Sequence, residues 1–140
     1  MKILNIVLFL TIFLFISCYN ESNSEDLDFL NTVWTLQHFN IDCEIVKPPE
    51  GQVYTIQFDT DSTFSGINDC NDLVGKYNLI SENKIEVINA GGSYANCGDN
   101  SLFLDYMSAL QSAESYEISG DKLTIFYENK SKLIFYGQEF

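Results

Sequence analysis

Val53-Tyr54-Thr55-Ile56-Gln57-Phe58-Asp59-Thr60-Asp61-Ser62-Thr63-Phe64-Ser65-Gly66-Ile67 is the stretch whose reading decides the fold. Tyr54, Ile56 and Phe58 alternate with Thr55 and Gln57, the period of a strand with one packed face and one wet face. Asp59 to Ser62 is a run of short polar side chains, which bond their own backbone and so favour a turn. Thr63 to Ile67 returns as a second arm, with Phe64 facing the same way as Phe58. The whole stretch is a β-hairpin, and the rest of the chain repeats its grammar.

Upstream, Val33 to Phe39 can place Trp34, Leu36 and His38 on one face. Downstream, Gly75–Ile80 and Lys84–Ile88 form two arms around Ser81-Glu82-Asn83. Ser115–Ser119, Lys122–Tyr127 and Lys132–Tyr136 follow, separated by turns at Gly120-Asp121 and Glu128–Ser131. Eight short strands at near-regular spacing predict an antiparallel sandwich or barrel. The inward set is Trp34, Leu36, Tyr54, Ile56, Phe58, Phe64, Leu79, Leu123 and Phe135, bulky enough to fill a small barrel. One segment changes period: between Asn100 and Ala113, Phe103, Tyr106, Met107 and Leu110 recur every three or four residues. That spacing predicts one amphipathic helix packed on the sheet, with Asp99, Asn100 or Ser101 available as its N-cap. The fold class is mainly β with one packed helix.

The N-terminus follows another logic. Lys2 precedes an apolar run from Ile3 to Ile16, shorter than the ~20 apolar residues of a membrane-spanning helix. Phe15-Ile16-Ser17-Cys18 then resembles the lipobox of bacterial lipoproteins. That resemblance implies a signal peptide over residues 1–17, cleavage before Cys18, and acyl chains on Cys18 that hold the protein to a membrane. Two or more chains anchor stably where one is marginal. Tyr19 after the cysteine, in place of the Asp typical of inner-membrane retention, implies the outer membrane, with its periplasmic and outer faces both open. Residues 18–28 read as the lipidated cysteine and a polar, acidic tether, and the domain occupies residues 29–140.

Seven basic residues stand against 20 acidic ones, a formal net charge of −13. Such a surface repels phosphate and excludes nucleic acid as a partner. The sequence leaves a protein or small-ligand partner unidentified.

Trp34-Thr35-Leu36, then Phe58-Asp59, Gly66, Asp69-Cys70-Asn71 and Gly75-Lys76-Tyr77, then Cys97, together resemble the META domain of HslJ-like heat-shock lipoproteins. The resemblance runs from Phe29 to Phe140, with Trp34, Asn71, Gly75 and Tyr77 as motif positions. It departs at Asp69, where Gly is usual, and across Ser93–Cys97. It implies a small lipocalin-like β-barrel, an envelope location, a role in envelope maintenance or stress tolerance, and no catalytic activity. It also implies a Cys70–Cys97 disulfide, since the family's two motif cysteines match these positions. The residues themselves leave Cys43–Cys70 and Cys43–Cys97 open as well. An exported chain favours oxidation, and closing a loop of about 28 residues would stabilise by about 3–4 kcal/mol on the chain-entropy model.

Other chemistry has little to stand on. Zinc would need clustered thiols and imidazoles, but the cysteines are far apart in sequence and His38 is the single histidine. The oxygen-rich turns at Asp59-Thr60-Asp61 and at Asp69, Asn71 and Asp72 do not follow a calcium-loop pattern. There is no nucleophile elbow, no phosphate loop with its lysine, and nothing that selects a carboxylate pair. The expectation is therefore no catalytic residue, no metal and no cofactor. A non-catalytic envelope module leads, with a binder of a small apolar ligand inside the barrel as the alternative.

Overall fold

The computed structural model describes residues 25–41 and 43–138. Residues 1–17, the Cys18 lipidation position and the start of the expected tether lie outside these. Nine strands and one helix follow in order: β1 (Val33–Ile41), β2 (Glu44–Val46), β3 (Tyr54–Phe58), β4 (Thr63–Asn68), β5 (Asn71–Ser81), β6 (Lys84–Gly92), α1 (Phe103–Gln111), β7 (Ala113–Ser119), β8 (Lys122–Tyr127) and β9 (Ser131–Gln138). Every strand pairing is antiparallel, from β3 through β9 in sequence order. β1 closes the cylinder by pairing with β3 on one side and β9 on the other. The barrel thus has eight strands, and β2 is a short flap folded back on the end of β1.

Tyr54, Ile56 and Phe58 all point inward and are buried, as does Phe64 opposite Phe58. The interior is filled by these with Trp34, Leu36, Leu73, Leu123, Leu133 and Phe135. α1 contributes Tyr106, Met107, Ala109 and Leu110 to the same core. It lies across one mouth of the barrel, the end that holds the β1–β2, β4–β5 and β8–β9 turns.

The opposite mouth is closed by the N-terminal segment. The Leu27 N–H donates to the Gly120 carbonyl, and the Gly120 N–H donates to the Asp26 carboxylate, fixing the chain to the β7–β8 turn. Phe29 then crosses the opening, stacked on Phe58 and Tyr116 with ring centroids at 4.3 and 4.5 Å. Asn31 bonds the Phe58 carbonyl before β1 begins. Of the stretch expected to be a tether, Glu25–Asp28 is described, and Asp26 and Leu27 in it are bonded to the barrel at Gly120, at the start of this strap.

Three expectations need correction. His38 does not share the face of Trp34 and Leu36, because the register shifts between Leu36 and His38. A bulge adds one residue and reverses the alternation beyond it, so Phe39 is buried and His38 is half-buried. Leu79 is in phase with the inward residues but 47% exposed, because β5 runs past its last pairing with β4 at Lys76 and leaves the core behind. α1 begins at Phe103 with Leu102 as its N-cap, and no side chain caps it there. Instead, Ser101 Oγ accepts from the Phe103 N–H and the Tyr54 hydroxyl accepts from the Leu102 N–H.

Candidate functional site

The motif residues meet at two places in the barrel. At the helix-capped end, the β4–β5 turn needs one residue in the left-handed region, and Asp69 takes it with φ 62°. Glycine adopts that conformation without penalty and Asp tolerates it, which accounts for this departure from the family pattern. The next residue, Cys70, is bonded to Cys97, with Cα atoms 5.6 Å apart. Cys43 is free and exposed, in the tight β1–β2 turn with φ 70°.

Asn71 opens β5 and is almost fully buried. Its Oδ1 accepts from the Ala95 N–H at 2.5 Å and from Ser93 Oγ at 3.2 Å. Its Nδ2 donates to the Ala95 carbonyl at 3.1 Å and to Cys97 Sγ at 3.0 Å. Ser93 Oγ also accepts from the Asp72 N–H. One carboxamide therefore mimics a strand partner for residues 93–97, which leave β6 without another strand beside them. Disulfide and carboxamide fasten the same loop from adjacent positions.

The second place is the barrel wall. A Cβ on Gly75 would lie 2.3 Å from Phe64 Cζ, so the glycine makes room for that ring. The Tyr77 hydroxyl reaches across to donate to the Asp59 carbonyl at 2.7 Å and secures the β3–β4 turn. Trp34 is fully buried, and its indole N–H donates to the Phe29 carbonyl of the strap at 3.2 Å. Trp34, Asn71, Gly75 and Tyr77 thus do not converge on one cleft. Each fixes a different joint.

The titratable groups follow suit. Burial raises the hydroxyl pKa of Tyr54, Tyr77, Tyr106, Tyr116 and Tyr127, most of all for Tyr106. Asp61 is exposed, and bonds from the Thr63 hydroxyl and N–H hold its carboxyl below the ordinary value. This side chain shapes the β3–β4 turn. Among the described residues, no group of three or more His, Cys, Asp and Glu side chains is placed to hold a metal ion. Two concavities of about 480 Å³ each lie on the outside of the helix-capped end. One runs between α1 and the β1–β2 flap, past Asp105, Ser112 and Glu128; the other passes His38, Ile45 and Lys132. Cys43 lines both.

Sequence reasoning missed the partners of these residues. Ser93 and Ala95 carry no periodic signal, because their bonds run to a single side chain more than 20 residues away. Tyr54 lies in the core, as its alternation predicts, but its hydroxyl also organises the start of α1. Asn68 Oδ1 and the Tyr106 hydroxyl are buried nearby without a hydrogen-bond partner, and nothing in the sequence marks them.

Comparison with known proteins agrees with this architecture. The META domain family matches residues 25–140. A protein from Burkholderia xenovorans solved by NMR is similar in structure, with a TM-score of 0.68 and 19% identity, over 80% of this chain and 85% of that one. A crystal structure of a DUF4847 family protein from Bacteroides vulgatus gives a TM-score of 0.56 at 15% identity, over 79% of this chain and 96% of that one. A second NMR structure gives 0.55 at 18% identity, over 75% and 87%. At such identities the likeness is one of fold. No curated protein matches the chain.

Proposed function

This chain belongs to the META domain family, and we propose that it is a lipid-anchored envelope module that acts by structure and interaction rather than by catalysis. The observation that carries the reading is the fate of the motif side chains. The Asn71 carboxamide, the Tyr77 hydroxyl and the Trp34 indole N–H all bond the chain's own backbone or loop. The groups that a catalytic or ligand site would present are taken up in holding the barrel shut. The fully buried interior of Trp34, Tyr54, Phe58, Phe64 and Phe135 occupies the space that an apolar ligand would need, which favours the module over the ligand binder.

Anchoring rests on the sequence at Phe15-Ile16-Ser17-Cys18. Acyl chains on Cys18 would hold the domain at the outer membrane, in a role in envelope maintenance or stress tolerance. No helix among the described residues is long and apolar enough to cross a membrane, so the acyl chains would be the attachment. Intact-mass spectrometry of protein purified from its own membrane tests this. The expected species begins at Cys18 and carries two or three acyl chains; an unacylated N-terminus at another residue would refute it.

A further inference from the structure

The two mouths of the barrel differ in where the chain enters, and that difference gives the domain an orientation. We infer that the strap-closed end faces the bilayer, and that Leu79 and Ile80 at the tip of the β5–β6 hairpin rest in its phospholipid interface. The inference depends on the acylation of Cys18 proposed above.

Distance is the first argument. Asp26 and Leu27 are bonded to Gly120 at the β7–β8 turn, so the chain joins the barrel at the strap-closed end. Six residues separate Cys18 from Glu25, and at no more than about 3.6 Å per residue the link spans about 25 Å at full stretch. β1 has nine residues; at about 3.3 Å each and the usual tilt of barrel strands, the barrel stands about 23 Å tall. Turning the helix-capped end to the membrane would need the link almost fully extended. The opposite orientation needs no extension.

The second argument is the hairpin itself. β5 pairs with β4 only as far as Lys76, and β6 meets β7 at the single pair Lys84 and Ser115. Beyond these pairs, the tip is joined to the rest of the barrel at Asn83, whose carbonyl accepts from the Tyr116 N–H of β7. It carries two branched aliphatic side chains, Leu79 at 47% and Ile80 at 66% exposure. Neither packs on the core, and both stand at the end where the anchor enters. Asp26, Asp28, Glu82 and Asp121 are exposed at this end, against Lys84 and the half-buried Lys122. Such a rim discourages anionic lipid and limits the contact to a shallow one at the hairpin tip. Tyr94, Leu104 and Cys43, all exposed at the other mouth, then point away from the membrane, towards any soluble partner.

The test uses the full acylated protein in phosphatidylcholine vesicles whose acyl chains carry bromine, a contact quencher of indole. Trp34 is fully buried and serves as an unchanging background. Ile80→Trp is expected to lose at least half of its added emission, and Leu104→Trp, at the opposite mouth, essentially none. Leu79→Trp gives a second reading at the same tip. Partial replacement by phosphatidylglycerol is expected to weaken quenching at the tip. An acylated, vesicle-bound protein in which position 80 is unquenched, or position 104 is quenched equally, overturns the orientation while leaving the anchor intact. A chain that carries no acyl group by intact mass overturns the anchor first, and the orientation with it.

Discussion

Replacing Asn71 by Ala is the most direct probe of how this barrel is held. The side chain makes four hydrogen bonds to three residues of the 93–97 loop. A typical intramolecular hydrogen bond contributes about 1 kcal/mol net, so the upper bound is about 4 kcal/mol. Ser93, Ala95 and Asn96 are exposed, so water can replace some of what is lost, and the expected cost is about 2–3 kcal/mol. In urea, where small domains have slopes of about 1–3 kcal/mol per molar, the midpoint should fall by about 1–2 M with little change in slope. Amide exchange supplies the local readout. The Ala95 N–H has Asn71 Oδ1 as its acceptor, so its protection should vanish while that of Ile56, within β3, falls only as far as global stability does. A loss below about 0.5 kcal/mol, within the range of an ordinary surface substitution, with the Ala95 amide still protected, would refute the reasoning.

Further outcomes follow from neighbouring joints. Replacing Cys70 and Cys97 together by Ser should cost about 3.5 kcal/mol on the chain-entropy model for a loop of this length, measured by the same titration without reductant. Gly75→Ala should lower stability by about 1–3 kcal/mol through overpacking against Phe64; Phe64→Leu in the same chain should recover part of this, and a Tm series checks it. Asp69→Gly should raise Tm by about 3–5 °C, a gain of about 1 kcal/mol, because it relieves a non-glycine φ of 62° and removes a buried carboxylate oxygen without a partner. Five tyrosines have their pKa raised by burial. The unfolded chain therefore loses these protons first, and stability is full below about pH 10 and falls as pH rises beyond it. Tyrosinate absorbance should rise together with the loss of near-ultraviolet circular dichroism, and ionisation of these five in a still-folded protein would contradict the burial.

What was legible in the sequence is what repeats. Strands β3, β4 and β8 lie where the alternation of apolar residues puts them, to within a residue. α1 falls inside its predicted stretch because four core residues recur at helical spacing. β5 and β6 extend further than expected, through Gly75 and to Gly91-Gly92, since a glycine in a strand hides the alternation without stopping the pairing. β2 has no signal in the sequence: three residues with an exposed Ile45 carry no period. The bulge after Leu36 is equally silent, because one extra residue leaves composition unchanged while it reverses the face of everything beyond.

The candidate site was legible as a set of positions but not as a role, and the reason is physical. A buried carboxamide such as Asn71 has the same chemistry whether it binds a ligand or the chain's own loop. What separates the two is whether the acceptors and donors opposite it belong to the same molecule, and here they come from residues 93–97, brought across by the disulfide. The strap is the same case at the other mouth. Its bonds run from Asp26 and Leu27 to Gly120 and from Asn31 to Phe58, single long-range contacts with no period to betray them. A barrel has two open ends, and regular pairing closes neither. The closures must come from non-repeating segments, so the residues least readable from the sequence are the ones that seal this core at both ends.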